Sequence, residues 1–282
     1  MAVRKGSTAP KASSGRPTRI IALANNKGGV GKTTTTLNLA GAFVLKERKV
    51  LAIDLDPQCN ASIAFNVIVD AHSSGVRQLL INDHYNVSEC IYDRGPFCDF
   101  IPADPDLAEI QTQLLFDPKG RIRLRNHLQH ITGNYDFVLL DCPPDMGVLT
   151  QSALVAAHEV IIPVDVGFFS VAGLARIVRI IDDVRNAYNP ELKISGVLAT
   201  KYDPRTTLSE TTVSEINTQG LPIFQTKIRI SVDIIRSQMA RAPVSIYAAE
   251  SHGAIDYNSL AEEILPAKII PLRQRRRKAA ES

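Results

Sequence analysis

The 282-residue chain carries 32 lysines and arginines against 29 acidic residues, a formal net charge of +3, and is 45% hydrophobic. That balance excludes a disordered polymer, and no stretch reaches the roughly 18 apolar residues that would span a bilayer. The charge is uneven: residues 1–19 hold +5 and residues 266–282 another +5, leaving −7 for the body between them, as expected where basic ends meet a polyanion.

Residues 1–18, rich in Ser, Gly, Pro and Lys, read as a flexible basic arm. From Arg19 to Ala24 an apolar run predicts a strand buried on both faces. Further strands are predicted at Val50 to Asp54, Phe100 to Pro102, Phe137 to Asp141, Val160 to Val164, Ile194 to Thr200 and Pro222 to Phe224. Helical periodicity lies between most of them, over Thr33 to Glu47, Gly75 to Ile81, Arg121 to Ile131, Thr150 to Ala157, Ser170 to Tyr188 and Leu208 to Gln219. Two more helical segments, Val232 to Met239 and Tyr257 to Leu265, close the body. Strand followed by helix, repeated, predicts an α/β fold: a doubly wound, mainly parallel sheet with helices on both faces, in one domain over residues 19–265. Residues 266–282 form a basic C-terminal tail.

Cys59, Cys90, Cys98 and Cys142 show no C-x-x-C spacing and no apolar signal core opens the chain, so it reads as cytoplasmic with reduced thiols. His127 and His130 share a helical face without a third ligand and read as solvated surface residues.

Directly after the first strand comes Lys27-Gly28-Gly29-Val30-Gly31-Lys32-Thr33-Thr34, which opens the first long helix. Its glycines let successive backbone N–H groups turn toward a phosphate chain at a helix N-terminus. Lys32 is suited to the β- and γ-phosphates, and the Thr33 hydroxyl to Mg2+. Two later strands end in acids, Ile53-Asp54-Leu55-Asp56-Pro57-Gln58 and Leu140-Asp141-Cys142-Pro143-Pro144. Ligands gather outside the carboxyl ends of such strands. Asp141 suits a Mg2+ partner through water. Asp56 is the candidate for positioning or activating the attacking water, and Asp54 serves either the metal shell or a structural hydrogen bond.

The strings NNKGGVGKTTTTLNLA, AIDLDPQCNAS and YDFVLLDCPP resemble the ParA-type DNA-partition ATPases, within the deviant Walker A class of P-loop NTPases that also holds MinD-type positioning ATPases. The resemblance runs from about Arg19 to Leu265. It implies ATP and Mg2+ as cofactors, with Lys27, Gly28, Gly29, Val30, Gly31, Lys32, Thr33, Thr34 and Pro144 binding nucleotide and Thr33, Asp56 and Asp141 serving the metal. It makes Lys27, Lys32 and Asp56 catalytic, Lys27 reaching across an ATP-dependent homodimer. Cys59 departs from it, standing where the family often carries glycine.

The same resemblance implies nonspecific binding of double-stranded DNA by the dimer and a ParB-like centromere-binding or adaptor protein that stimulates hydrolysis, on the nucleoid. The candidate DNA contacts are Arg205, Arg229, Arg236 and Arg241 on the body and Arg273, Arg275, Arg276 and Arg277 on the tail, reading backbone charge alone. The alternative is a MinD-like or cargo-positioning ATPase acting on a membrane or protein assembly. Pro266 and Pro271 interrupt the C-terminal segment, which leaves little to insert into lipid. Cys98 and Cys142, the pair a cluster-bridging relative would use, read as buried, inert thiols.

Overall fold

The computed structural model describes residues 3–4, 17–70, 73–93, 98–167 and 171–265. Among them one sheet is built from β1 (Val3–Arg4), β2 (Arg19–Leu23), β3 (Val50–Asp54), β4 (Tyr92–Asp93), β5 (Asp99–Ile101), β6 (Phe137–Asp141), β7 (Glu159–Asp165) and β8 (Lys193–Thr200). The spatial order is β1-β4-β5-β3-β6-β2-β7-β8. From β5 to β8 the pairing is parallel, while β4 and β1 add an antiparallel edge. The chain order reverses next to β2, so the crevice outside the end of β2 is where a ligand belongs in this fold.

The central strands β3 and β6 are apolar at every position but the last, where Asp54 and Asp141 stand, because both faces are covered, and alternate residues part to opposite sides. Leu51, Ile53, Val138 and Leu140 join one core, under α3 (Val76–Ile81), α4 (Ile110–Phe116), α5 (Arg123–Gln129), α6 (Val148–Ala156) and α7 (Val171–Ala187). Val50, Ala52, Phe137 and Leu139 join the other, under α1 (Lys32–Leu45), α10 (Val244–Tyr247) and α11 (His252–Ile264). Phe43 of α1 stacks on Phe137 with ring centroids 3.9 Å apart. The short α2 (Asn60–Ala64), α8 (Thr207–Asn217) and α9 (Val232–Met239) complete the set among the described residues.

Most predicted elements stand within a few residues of their expected bounds. Pro222 to Phe224 is the exception, making one isolated bridge to Val197 instead of a strand. Val197 N donates to Pro222 O at 2.8 Å, and Phe224 N donates back at 3.1 Å, but Pro222 has no N–H to carry the ladder on. Gly196 takes the Phe224 ring against its backbone, where a Cβ would come within 2.8 Å of it.

His127 also differs from the sequence reading. It is 3% exposed, and its Nε2 lies 2.8 Å from the Asn82 carbonyl, to which a neutral ring donates. His130, one turn on, stays exposed: the apolar stripe of α5 is wide enough to bury one histidine of the pair and not the other. The arm expected over residues 1–18 is described only at 3–4 and 17–18, with Val3–Arg4 paired to Tyr92–Asp93. The tail, with Arg273, Arg275, Arg276 and Arg277, lies outside the described residues.

Candidate active site

The turn from β2 into α1 is made by glycines in the left-handed region, Gly29 at φ 72° and Gly31 at φ 91°, where a side chain would be strained. Asn25 braces its start: its amide donates to Pro163 O at 2.6 Å and its Oδ1 accepts from Lys27 N at 3.0 Å. From the far side, the Thr200 hydroxyl at the end of β8 lies 2.9 Å from the Val30 carbonyl. The first hydrogen bond of α1 runs from Thr35 N to Gly31 O, so the N–H groups of Lys32, Thr33 and Thr34 have no intrahelical acceptor and carry the positive end of the helix.

This loop forms one wall of a cavity of about 640 Å³. Gly28, Gly29, Gly31, Lys32, Thr33 and Thr34 line it, together with Pro144 and Asp56. Lys32 is 7% exposed and burial holds its pKa down, while its Nζ donates to the Lys27 carbonyl at 3.0 Å. Val30 is buried behind the loop, and Lys27 is exposed; neither lines the cavity.

Asp141 sits behind Thr33 with no solvent exposure. Thr33 Oγ1 donates to its Oδ2 at 2.7 Å and Thr36 Oγ1 to its Oδ1 at 3.1 Å. Burial, then the charge of Asp54, push the carboxyl well above its ordinary range. Asp54 resolves to a hydrogen-bonding role: Oδ1 accepts from Asp56 N at 3.0 Å, and Oδ2 from Ser62 N and Oγ, both at 2.8 Å. It thereby ties the Asp56 loop to α2. Asp56 reaches the cavity with its Oδ1 accepting from Gln58 N at 2.9 Å, and burial raises its carboxyl above the usual value.

Cys59 takes φ 55° at the start of α2, which explains why glycine suits that position. Burial, then Asp54, Asp104 and Asp56, push its thiol up to about 12. Cys98 and Cys142 are buried, and burial raises the Cys142 thiol too.

The far end of the cavity comes from segments remote in sequence. Ile228, Ile230 and Ser231, then Ile234 and Gln238 of α9, and Tyr257 of α11 close it. The resemblance to ParA-type ATPases puts the base beside the Lys201-Tyr202-Asp203 exit and the Ile228 to Ser231 segment. Gln238, Tyr257 and Thr200 were not expected at the site, because nothing local marks a glutamine, tyrosine or threonine as lining a cavity.

Each body arginine expected at DNA has a polar partner of its own. Arg205 donates through Nε and Nη2 to the two oxygens of Asp203, at 2.9 and 2.8 Å, and remains 86% exposed as a side chain. Arg229 pairs with buried Asp256 at 2.6 Å and lines the cavity. Arg236 lies 3.8 Å from Asp233, and Arg241 donates to Asn66.

A family model described as an AAA domain matches residues 18–194. The chromosome partitioning protein ParA of Caulobacter vibrioides is 36% identical over 270 residues, 95% of this chain and all of that protein. The sporulation initiation inhibitor protein Soj of Bacillus subtilis is 32% identical over 247 residues, 87% of this chain and 98% of that one. Among solved structures, cobyrinic acid a,c-diamide synthase from Mycobacterium smegmatis with bound ADP and magnesium superposes with a TM-score of 0.77 at 33% identity, covering 87% and 93% of the two chains.

Proposed function

The chain belongs to the ParA family of P-loop ATPases, and on that footing we propose that its main cavity takes ATP with Mg2+ and hydrolyses it in a cycle that positions DNA. The observation carrying this reading is that the glycine loop, Lys32, Thr33 and Asp56 line one cavity, with Asp141 hydrogen-bonded behind Thr33.

The residues present fit both groups. Lys32 is a buried ammonium whose hydrogen bond goes to a neutral carbonyl, so a phosphate chain supplies a direct ionic partner beyond the nearby Asp141 and Asp56. Asp54 and Asp141 are adjacent buried carboxyls, a concentration of negative charge that a cation relieves. Thr33 and Asp141, with Asp56 nearby, would hold Mg2+, which when bound draws charge from the β- and γ-phosphate oxygens.

The remaining roles belong to the chain. The N–H groups opening α1 and the Lys32 ammonium orient the phosphates. Asp56, with Oδ1 engaged by Gln58, orients the attacking water and accepts its proton at Oδ2; the products are ADP and phosphate. Lys27 is exposed and outside the lining, which suits a lysine that completes the site of a second ATP-loaded copy. Ile63, Ile230 and Ile235, which line the cavity yet remain 46%, 63% and 59% exposed, support a dimer that covers them.

The dimer binds double-stranded DNA through backbone charge, and a ParB-like partner stimulates hydrolysis and releases it, in the cytoplasm on the nucleoid. Among the described residues no helix is long and apolar enough to cross a membrane. The test is retention on DNA and on anionic vesicles with ATP or ADP at rising salt. Salt-sensitive, ATP-dependent retention on DNA is the expected result. Retention on vesicles alone replaces it with the MinD-like reading, and retention on neither sinks both.

A further inference from the structure

Thr34 is held by residues the phosphate loop does not contain. Gln238 of α9, 204 residues away, donates through Nε2 to the Thr34 hydroxyl oxygen at 2.8 Å. Asn38 donates to the Thr34 carbonyl at 2.8 Å, and its own Oδ1 accepts from Val244 N of α10 at 2.7 Å. Thr34 is thus clamped at its side chain by α9 and at its carbonyl through α10. Both Thr34 and Gln238 line the cavity.

We propose that Gln238 is a positioning residue for the nucleotide: by donating to the Thr34 oxygen it turns the Thr34 hydroxyl proton toward the phosphate chain. The proposal rests on the reading that this cavity binds ATP.

A threonine hydroxyl has one proton, and an oxygen that accepts from Gln238 directs that proton elsewhere. In a helix the usual recipient is the carbonyl four residues back. Thr36 has that option, its Oγ1 lying 3.1 Å from Lys32 O and also 3.1 Å from Asp141 Oδ1. The Thr34 hydroxyl makes no such bond: among the described residues its hydrogen-bond partner is Gln238. The Thr34 proton is therefore left for an acceptor in the cavity. There the neighbouring N–H groups of α1 already favour an anion. Fixing the rotor beforehand lowers the ordering cost of binding.

The test is a double-mutant cycle on ATP affinity with Mg2+, read by calorimetry beside a thermal melt of each variant. Gln238→Met keeps the side chain's length and removes the donor; Gln238→Ala is the second variant, and Thr34→Val removes the hydroxyl. Each single change is expected to weaken ATP binding about five- to tenfold, and Gln238→Met combined with Thr34→Val to be no weaker than Thr34→Val alone. Thr34→Ser, which keeps the hydroxyl, should retain the response to Gln238→Met. Additive losses, or wild-type affinity in both Gln238 variants, overturn the proposal while leaving the ATP reading intact. A wild-type chain that fails to bind ATP overturns the parent reading and this one together.

Discussion

Asp54 and Asp141 are register partners at the ends of β3 and β6, and neither has any solvent exposure. Two carboxyls so close in a dry site disfavour each other's charge, so the free protein carries a repulsion that ligand binding relieves. Asp141→Asn removes it. Without ligand, this variant is expected to melt at or above the wild-type temperature, by about 1 kcal/mol of added stability, while Mg2+-dependent ATP hydrolysis falls by at least about 100-fold. A variant that melts lower and still turns over normally contradicts both halves of the argument.

Asp56 and Lys27 separate chemistry from binding. Asp56→Ala is expected to bind ATP within about threefold of wild type and to lose turnover by on the order of 100-fold or more, leaving an ATP-loaded dimer on DNA. Lys27→Ala should spare ATP binding, since Lys27 lies outside the cavity lining, yet lose partner-stimulated hydrolysis. Unchanged stimulated turnover in the Lys27 variant means the lysine does not act across a dimer.

What the sequence made legible is what local chemistry encodes. The glycine spacing, Lys32, Thr33 and the acids ending β3 and β6 are contiguous signals, and the structure brings these residues close together. The far wall was legible only as a segment, Ile228 to Ser231, because the clamp of Gln238 on Thr34 and of Asn38 on Val244 joins residues more than 200 positions apart. The burial of His127 was missed for the same reason: its partner, the Asn82 carbonyl, follows α3.

Cys59 holds a left-handed backbone at φ 55°, a conformation that disfavours a residue with a Cβ. Cys59→Gly removes that cost and the weak thiol contact to the Pro57 carbonyl at 3.4 Å. The expected net gain is about 0.5–1 kcal/mol, tempered by the greater freedom of glycine in the unfolded chain. Thermal unfolding measures it, and a lower melting temperature counts against strain at this turn.

His127 sets an acid limit on stability. Burial lowers its pKa below the ordinary value near 6.5, so the unfolded chain takes up the proton first. Stability from the neutral ring is therefore present above about pH 6.5 and is lost as pH falls through the folded value, at no more than ~1.4 kcal/mol per pH unit for one proton. His127→Gln should flatten this limb of a stability-against-pH curve while lowering the plateau. An unchanged limb would assign the acid loss to other groups.

The ion pairs of the body arginines bear on where DNA is held. A phosphate that recruits Arg205 has to compete with a bidentate Asp203, and one that recruits Arg229 has to break its pair with buried Asp256. Deleting residues 273–278 removes Arg273, Arg275, Arg276, Arg277 and Lys278. The deletion is expected to weaken ATP-dependent DNA retention by on the order of tenfold or more and to flatten its dependence on salt, because fewer counterions are released. Arg205→Ala should cost less DNA affinity than the deletion. Arg229→Ala should act chiefly on thermal stability, by leaving Asp256 buried without its partner. Undiminished retention after the deletion, with a loss in Arg205→Ala, moves the DNA surface from the tail to the body.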